Sequence, residues 1–147
     1  MELKALTDED RAAITTLFKD VFTNAPWNDD WSDPGQLDAY ITDLTGHGNS
    51  LTLGWLDGDR LAGVSMGHIK HWYTGTKYYI DEFCVARAYQ RQGVGSAFMR
   101  AIEEALRERG VAQIFLQTER AVPAYAFYRR MGFQELPEHV SFTKRIL

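Results

Sequence analysis

Apolar residues recur along this chain at two periods, and the switches between them mark out its elements. Glu2 to Leu6 reads as a first strand. Thr7-Asp8-Glu9-Asp10 then has the form of a capping box, and it opens a helix whose apolar stripe is Ile14, Leu17, Phe18, Val21 and Phe22. After a loop, Asp33-Pro34-Gly35-Gln36 repeats the cap logic with proline at the first helical position. Leu37, Tyr40, Ile41 and Leu44 follow at helical spacing. Ser50 to Leu56 and Leu61 to Ile69 flank Asp57-Gly58-Asp59, and Asp-Gly between two β-prone runs predicts a hairpin. Thr74-Gly75-Thr76 turns the chain again into Tyr78 to Val85, so this part should be an antiparallel meander.

A second helical stripe, Val94, Ala97, Phe98, Ala101, Ile102, Ala105 and Leu106, ends near Gly110. Ala112 to Thr118 reads as the next strand, and Pro123 to Met131 as a short helix stopped by Gly132. The alternation in Val140 to Leu147 predicts a last strand. There is no repeat, low-complexity tract or linker, and a single domain over residues 1–147 is expected.

Composition narrows the class. At 147 residues, 45% hydrophobic and 13% aromatic, the chain can bury one core and is short for two. A formal net charge of −4 provides no electrostatic footprint for nucleic acid and would tolerate or attract a cationic substrate. No apolar run approaches the ~20 residues that span a bilayer, and Met1-Glu2-Leu3-Lys4 does not read as a signal peptide, so a cytoplasmic location and no membrane partner are expected. Cys84 is the only cysteine. It excludes an intrachain disulfide and a thiolate metal cluster, and reads as a small buried hydrophobe in a strand. His68 and His71 stand three apart on a strand, which points them to opposite faces with no third ligand evident, so no metal is expected. His47 and His139 read as surface histidines that could line a site.

The stretch with the most chemistry in it is Gln90-Arg91-Gln92-Gly93-Val94-Gly95-Ser96, between a strand and a helix. The first turn of a helix carries unpaired N–H groups and the positive end of the helix dipole, both of which suit phosphate. Glycines at 93 and 95 let a pyrophosphate approach the backbone, and Ser96 adds a hydroxyl donor. Glycine also simply breaks structure, so a plain bend is the alternative. Phe98 stands where a dinucleotide fold wants a small residue, and the Lys-Ser/Thr pair of a P-loop is missing.

Three segments in order, Asp81-Glu82-Phe83-Cys84-Val85, the turn Gln90 to Gly95, and Ala124-Tyr125-Ala126-Phe127-Tyr128-Arg129-Arg130-Met131-Gly132-Phe133, make the whole chain resemble the GNAT superfamily of N-acetyltransferases. The resemblance implies an α/β (α+β) fold: a strongly twisted, mixed but mainly antiparallel sheet of six to seven strands flanked by about four helices. It also implies acetyl-coenzyme A as cosubstrate. The fourth and fifth strands, here Tyr78 to Val85 and Ala112 to Thr118, would splay apart for the pantetheine arm. The strand run Phe83, Cys84 and Val85 would then meet the cofactor, with main-chain groups of Cys84 and Val85 pairing with the pantetheine and thioester carbonyl. The turn Gln90, Arg91, Gln92, Gly93, Val94, Gly95 and Ser96 would hold the pyrophosphate, and the adenosine would lie near Arg129 and Arg130. Those two arginines read equally well as solvated helix charges.

Acetyl transfer to an amine needs a deprotonated nucleophile, a polarised thioester carbonyl and a proton for the departing thiolate. Alkyl amines hold their proton to about pH 10, so a carboxylate acting directly or through water could take it. Asp81 and Glu82 are the candidates. Strand alternation puts Asp81 with Tyr79 and Phe83, and Glu82 on the opposite face with Ile80 and Cys84, so one of them should face the amine. The residues alone do not choose, and either could be a structural carboxylate paired with an arginine; the resemblance, through spacing to Val85, favours Asp81. Tyr128 matches the family's helix tyrosine beside the sulfur and is the candidate general acid and a cofactor contact. Alternatively it is an amphipathic core tyrosine. Ala121 stands where many relatives carry asparagine, removing one side-chain contact to the cofactor.

Trp27 and Trp31, interleaved with acids in Pro26-Trp27-Asn28-Asp29-Asp30-Trp31, could form with Asp81 a wall for a cationic acceptor, or else be buried pins of a loop. The expected reaction is direct acetylation of a primary amine on a small cationic molecule, aminoglycoside-like or polyamine-like. Acetylation of a protein N-terminus or lysine is the enzymatic alternative, and a coenzyme A-binding sensor the non-enzymatic one. Many members of this family dimerise, so a homodimer is compatible with the resemblance.

Overall fold

The computed structural model describes residues 1–147, which fall into two compact units, 1–117 and 118–147. The first unit holds β1 (Glu2–Ala5), α1 (Arg11–Phe22), α2 (Pro34–Thr45), β2 (Ser50–Asp57), β3 (Arg60–Trp72), β4 (Gly75–Val85), α3 (Val94–Glu108) and β5 (Gln113–Leu116). One sheet runs β1-β2-β3-β4-β5, antiparallel until the last pair, where β5 joins β4 in parallel. The crossover between those two strands is α3, the connection a parallel pair requires.

Both N-terminal caps form as their residues dictate. Thr7 accepts from the Glu9 N–H while its own N–H donates to Asp10, setting a single 3-10 turn ahead of α1. Asp33 Oδ1 accepts from the N–H groups of Gly35 and Gln36, with Pro34 opening α2.

The sheet is covered on two faces. On one, Ile14, Leu17, Phe18, Val21 and Phe22 of α1 and Leu37, Ile41 and Leu44 of α2 close over Val64, Met66, Cys84 and Ala86. On the other, Phe98 of α3 stacks on Phe83 and Trp55 at 5.2 and 5.7 Å between centroids. Each fully buried large apolar side chain contributes roughly 1.5–3 kcal/mol. Tyr78 is completely buried, so its hydroxyl needs partners: it donates to the Leu51 carbonyl and accepts from Ser65 Oγ, both at 2.9 Å.

The second unit carries α4 (Pro123–Arg130). Phe133 N–H closes on the Tyr128 carbonyl, and Gly132, at φ +89°, turns the chain out of the helix. Arg120 and Arg129 converge on the Glu135 carboxylate, which also accepts from the Tyr125 hydroxyl.

The expected strand over 140–147 does not form, so the sheet has five strands where six to seven were expected. Val140, Phe142 and Ile146 alternate as a strand would, yet all are exposed, Phe142 at 91%. Alternation describes a segment suited to a sheet edge; the strand exists only where an edge supplies the hydrogen bonds. The hairpin arms also run further than their apolar patterns, to Trp72 and from Gly75, because ladder pairing continues through the polar tip. Conversely β5 stops at Leu116, short of the expected Thr118. No helix is long and apolar enough to cross a membrane.

Candidate active site

The register of β3 against β4 shifts between two pairs, Met66 opposite Glu82 and Gly67 opposite Ile80, so Asp81 is an extra residue with no partner of its own. This β-bulge breaks the alternation expected for the two carboxylates. Glu82 shares its face with Met66 and Cys84, under α1 and α2, where it accepts a hydrogen bond from the Tyr40 hydroxyl of α2 at 2.6 Å. Asp81 reaches along the same face to His68, two residues beyond Met66 on β3, whose Nδ1 lies 2.8 Å from Asp81 Oδ2. The two carboxylates therefore act on one side of the sheet, where strict alternation had placed them on opposite faces. Gly67 is the residue that makes room: a Cβ there would collide with the Tyr79 carbonyl and stand 2.7 Å from the Tyr78 ring.

Around these carboxylates lies an aromatic wall. Tyr40 stacks on Trp31 at 5.2 Å and meets Phe18 edge-on, while Trp27 packs on Phe22. Trp27 and Trp31 are half-buried against the helical core, so they pin the loop, and Trp31 also backs the tyrosine that holds Glu82. Burial holds the Glu82 carboxyl above its ordinary range; the Tyr40 hydrogen bond opposes this, and the charges of Asp29 and Asp81 add to it. Burial, then the hydrogen bond to Glu82 and its charge, raise the Tyr40 phenol. A cation entering here would meet concentrated negative charge beside ring faces. Burial pushes the Cys84 thiol up, as expected of a packing residue rather than a nucleophile.

The edge of β4 opens where those carboxylates begin. Pairing with β5 ends at Ile80 opposite Leu116, while β4 continues to Val85 with only β3 beside it. From Asp81 to Val85 no strand pairs with its outer edge, the kind of edge along which an extended ligand can lie. At the end of this stretch the Val85 carbonyl accepts a hydrogen bond from Gln90 Nε2 at 2.8 Å. Gln90 thereby serves to brace the strand end. Further bracing comes from Arg87, whose N–H and Nε both donate to Asp20, and from Tyr89, which donates to Asp57.

The turn that follows has the geometry of an anion cradle. Arg91 and Gly93 both take left-handed backbone, at φ +61° and +76°, and Gly93 caps α3 without any side-chain hydrogen bond. Residues 91–93 are exposed and a Cβ on Gly93 would meet nothing within 4 Å, so the first turn of α3 faces open space with its N–H groups unclaimed by a side-chain cap. Gln92 Nε2 turns back to the Ala88 carbonyl, which holds that residue to the loop.

In the second unit Tyr128 is half-buried, edge-on to Phe127 and Phe133 at 5.3 and 5.4 Å. Arg129 is drawn to Glu135, and Arg130 is exposed. No three His, Cys, Asp or Glu side chains are grouped as a metal site.

Tyr40 and His68 also belong to the site. In the sequence Tyr40 falls in a helical apolar stripe and His68 stands three positions before His71, so neither stands out there as a site residue. The available signal was Gly67, an isolated glycine inside a strand pattern, which marks a bulge.

Comparison with known proteins bears on the family and the fold. A profile of the acetyltransferase (GNAT) family matches residues 11–133. The fold matches a "possible acetyltransferase" from Clostridium difficile 630 at TM-score 0.83 and 14% identity, covering 99% of this chain and 98% of that one. It matches an aminoglycoside acetyltransferase from an uncultured soil metagenomic sample, in complex with sisomicin, at TM-score 0.73 and 20% identity, covering 98% and 96%. It also matches AAC(6')-Iy in complex with the bisubstrate analog CoA-S-monomethyl-acetylneamine at TM-score 0.72 and 14% identity, covering 99% and 98%. No curated protein sequence matches the chain. With the profile spanning most of its length, the chain belongs to the GNAT family of acetyltransferases, enzymes that transfer an acyl group from coenzyme A.

Proposed function

We propose that this acetyltransferase moves acetyl from acetyl-coenzyme A directly to a primary amine of a small cationic acceptor, aminoglycoside-like or polyamine-like. One observation carries the reading: the strand edge vacated by β5 begins at Asp81 and Glu82. An extended thioester on that edge would lie next to two carboxylates that can hold an amine.

Each half of the reaction has its residues. The N–H groups of 91–96 would hold the pyrophosphate, and main-chain groups of Phe83, Cys84 and Val85 would meet the pantetheine arm, with the Val85 carbonyl already given to Gln90. Acetyl-coenzyme A, when bound, supplies an acyl carbon with a thiolate leaving group. Asp81 and Glu82, with Asp29 nearby and the Trp31–Tyr40 pair behind, attract and orient the ammonium, and its proton leaves within this cluster. Tyr128 on α4 donates the proton that the thiolate needs. The neighbours described with sisomicin and with a coenzyme A–acetylneamine analog support this acceptor class.

The test pairs binding with turnover. Acetyl-coenzyme A should raise the melting temperature, and an amine panel assayed by free-thiol release should show turnover with polyamines or aminoglycosides ahead of peptides. Absence of stabilisation at concentrations far above typical dissociation constants would sink the donor assignment. A preference for peptide N-termini or lysines would overturn the acceptor class.

A further inference from the structure

We infer that His68 is the base of the transfer, taking the amine proton at Nε2, and that Asp81 is its positioning residue. This rests on the proposed amine acetylation and assigns a role to a side chain outside the carboxylate pair.

A carboxylate can only accept, so at 2.8 Å the Nδ1–H of His68 donates to Asp81 Oδ2. That fixes the tautomer and leaves the Nε2 lone pair free of the ring proton. The ring plane is set by Tyr79, stacked at 5.4 Å and 26°, and the imidazole remains 24% exposed at its side chain, so a ligand can reach it. Histidine paired with an orienting carboxylate is the arrangement that general-base catalysis uses.

The neighbours divide the labour. Glu82 is engaged by Tyr40, so its charge is suited to holding the ammonium. An imidazole is a stronger base than a carboxylate and so a better match for an amine proton. The groups facing His68 are Asp81 and Tyr79 from β4, Lys70 of its own strand lying over the Tyr79 ring, and neutral Ser50 opposite on β2. Beyond Asp81 stand Glu82, Tyr40 and Asp29.

The step balances as follows. Nε2 takes one proton from the ammonium, the freed nitrogen bonds to the acyl carbon, and the C–S bond breaks with its electron pair on sulfur. The nitrogen loses its second proton as the amide forms. One of the two protons ends on the coenzyme A thiol and the other in solvent.

The experiment measures kcat and kcat/KM against pH on the full chain, with acetyl-coenzyme A and the best acceptor of the amine panel. Wild-type kcat should rise with pH through one ionisation. His68→Gln should lose about 10²-fold or more in kcat together with that ionisation, while acetyl-coenzyme A binding is unchanged. Asp81→Asn should keep the ionisation but move it to lower pH, because the imidazolium loses its counter-charge. His68→Ala should be partly rescued by added imidazole. A His68→Gln enzyme within about threefold of wild type, with its pH limb intact, overturns the inference. If that variant fails to fold, an unmoved limb in Asp81→Asn overturns it instead. A wild-type enzyme that releases no thiol with any amine defeats the amine-acetylation reading itself, and the inference falls with it. Turnover that survives in His68→Gln defeats the inference alone.

Discussion

The Tyr40 hydroxyl donates to Glu82 Oε1 across 2.6 Å, joining α2 to the bulged stretch of β4 in a half-buried contact. Burial, opposed by the Tyr40 hydrogen bond, holds the Glu82 carboxyl above its ordinary 4.5, so folding draws this group towards binding a proton relative to the unfolded chain. The sign follows: between the unfolded and folded pKa values the native state binds more protons, so stability from this group is greatest at acid pH and is lost as pH rises through the folded value. Glu82→Gln keeps an acceptor for Tyr40 and buries no charge. Its melting temperature should exceed that of wild type at pH ~7, with the gap closing towards pH ~4. Activity should fall, because the ammonium loses a counter-charge. A variant less stable than wild type at neutral pH would show that the ionised carboxylate is net favourable.

Gly63 answers Phe98 across the sheet. A Cβ at 63 would stand 2.9 Å from the Phe98 ring and 3.2 Å from the Cys84 carbonyl, and Phe98 is held by stacking on Phe83 and Trp55. Neither obstacle can yield easily, so Gly63→Ala should cost about 1–3 kcal/mol and lower the melting temperature by roughly 2–10 °C. Thermal denaturation followed by circular dichroism checks this. An unchanged midpoint would mean that α3 can slide on the sheet.

Gly93 differs in kind, because nothing stands near its missing Cβ and the constraint is the backbone at φ +76°. Gly93→Ala should cost about 1–2 kcal/mol through left-handed strain alone. The same methyl would sit where the pyrophosphate is proposed to lie, so the thermal stabilisation given by acetyl-coenzyme A should shrink as well. Loss of basal stability with full retention of that ligand shift would separate the turn from the cofactor.

Much of this was legible in the residues. The helix caps at Thr7 and Asp33, the stripe of α3 and the turn at 90–96 depend on neighbours within a few positions, and the chain encodes those directly. The relation of Asp81 to Glu82 was misread because a period of two assumes an unbroken ladder. The bulge depends on what β3 offers opposite, above all a glycine at 67 that admits the Tyr78 ring. Residues 140–147 failed for a related reason: alternation at Val140, Phe142 and Ile146 specifies a face, and pairing has to come from elsewhere. His68 and Tyr40 were invisible as site residues because their partners, Asp81 and Glu82, lie 13 and 42 positions away.

Tyr128 is proposed as the acid that protonates the departing thiolate, and its surroundings make a clean test available. Its ring packs edge-on against Phe127 and Phe133, contacts that phenylalanine keeps, so Tyr128→Phe should still fold, with a cooperative melting curve as the check. The reaction should suffer far more. A thiolate of ordinary pKa near ~8.5 leaves more readily when a phenol with a pKa near ~10 donates to it, and loss of such a donor costs about 10²-fold in kcat. The KM for acetyl-coenzyme A should change little, since the proton is needed only as the C–S bond breaks. Steady-state thiol release reads both quantities at once; an unchanged kcat would assign the proton to solvent.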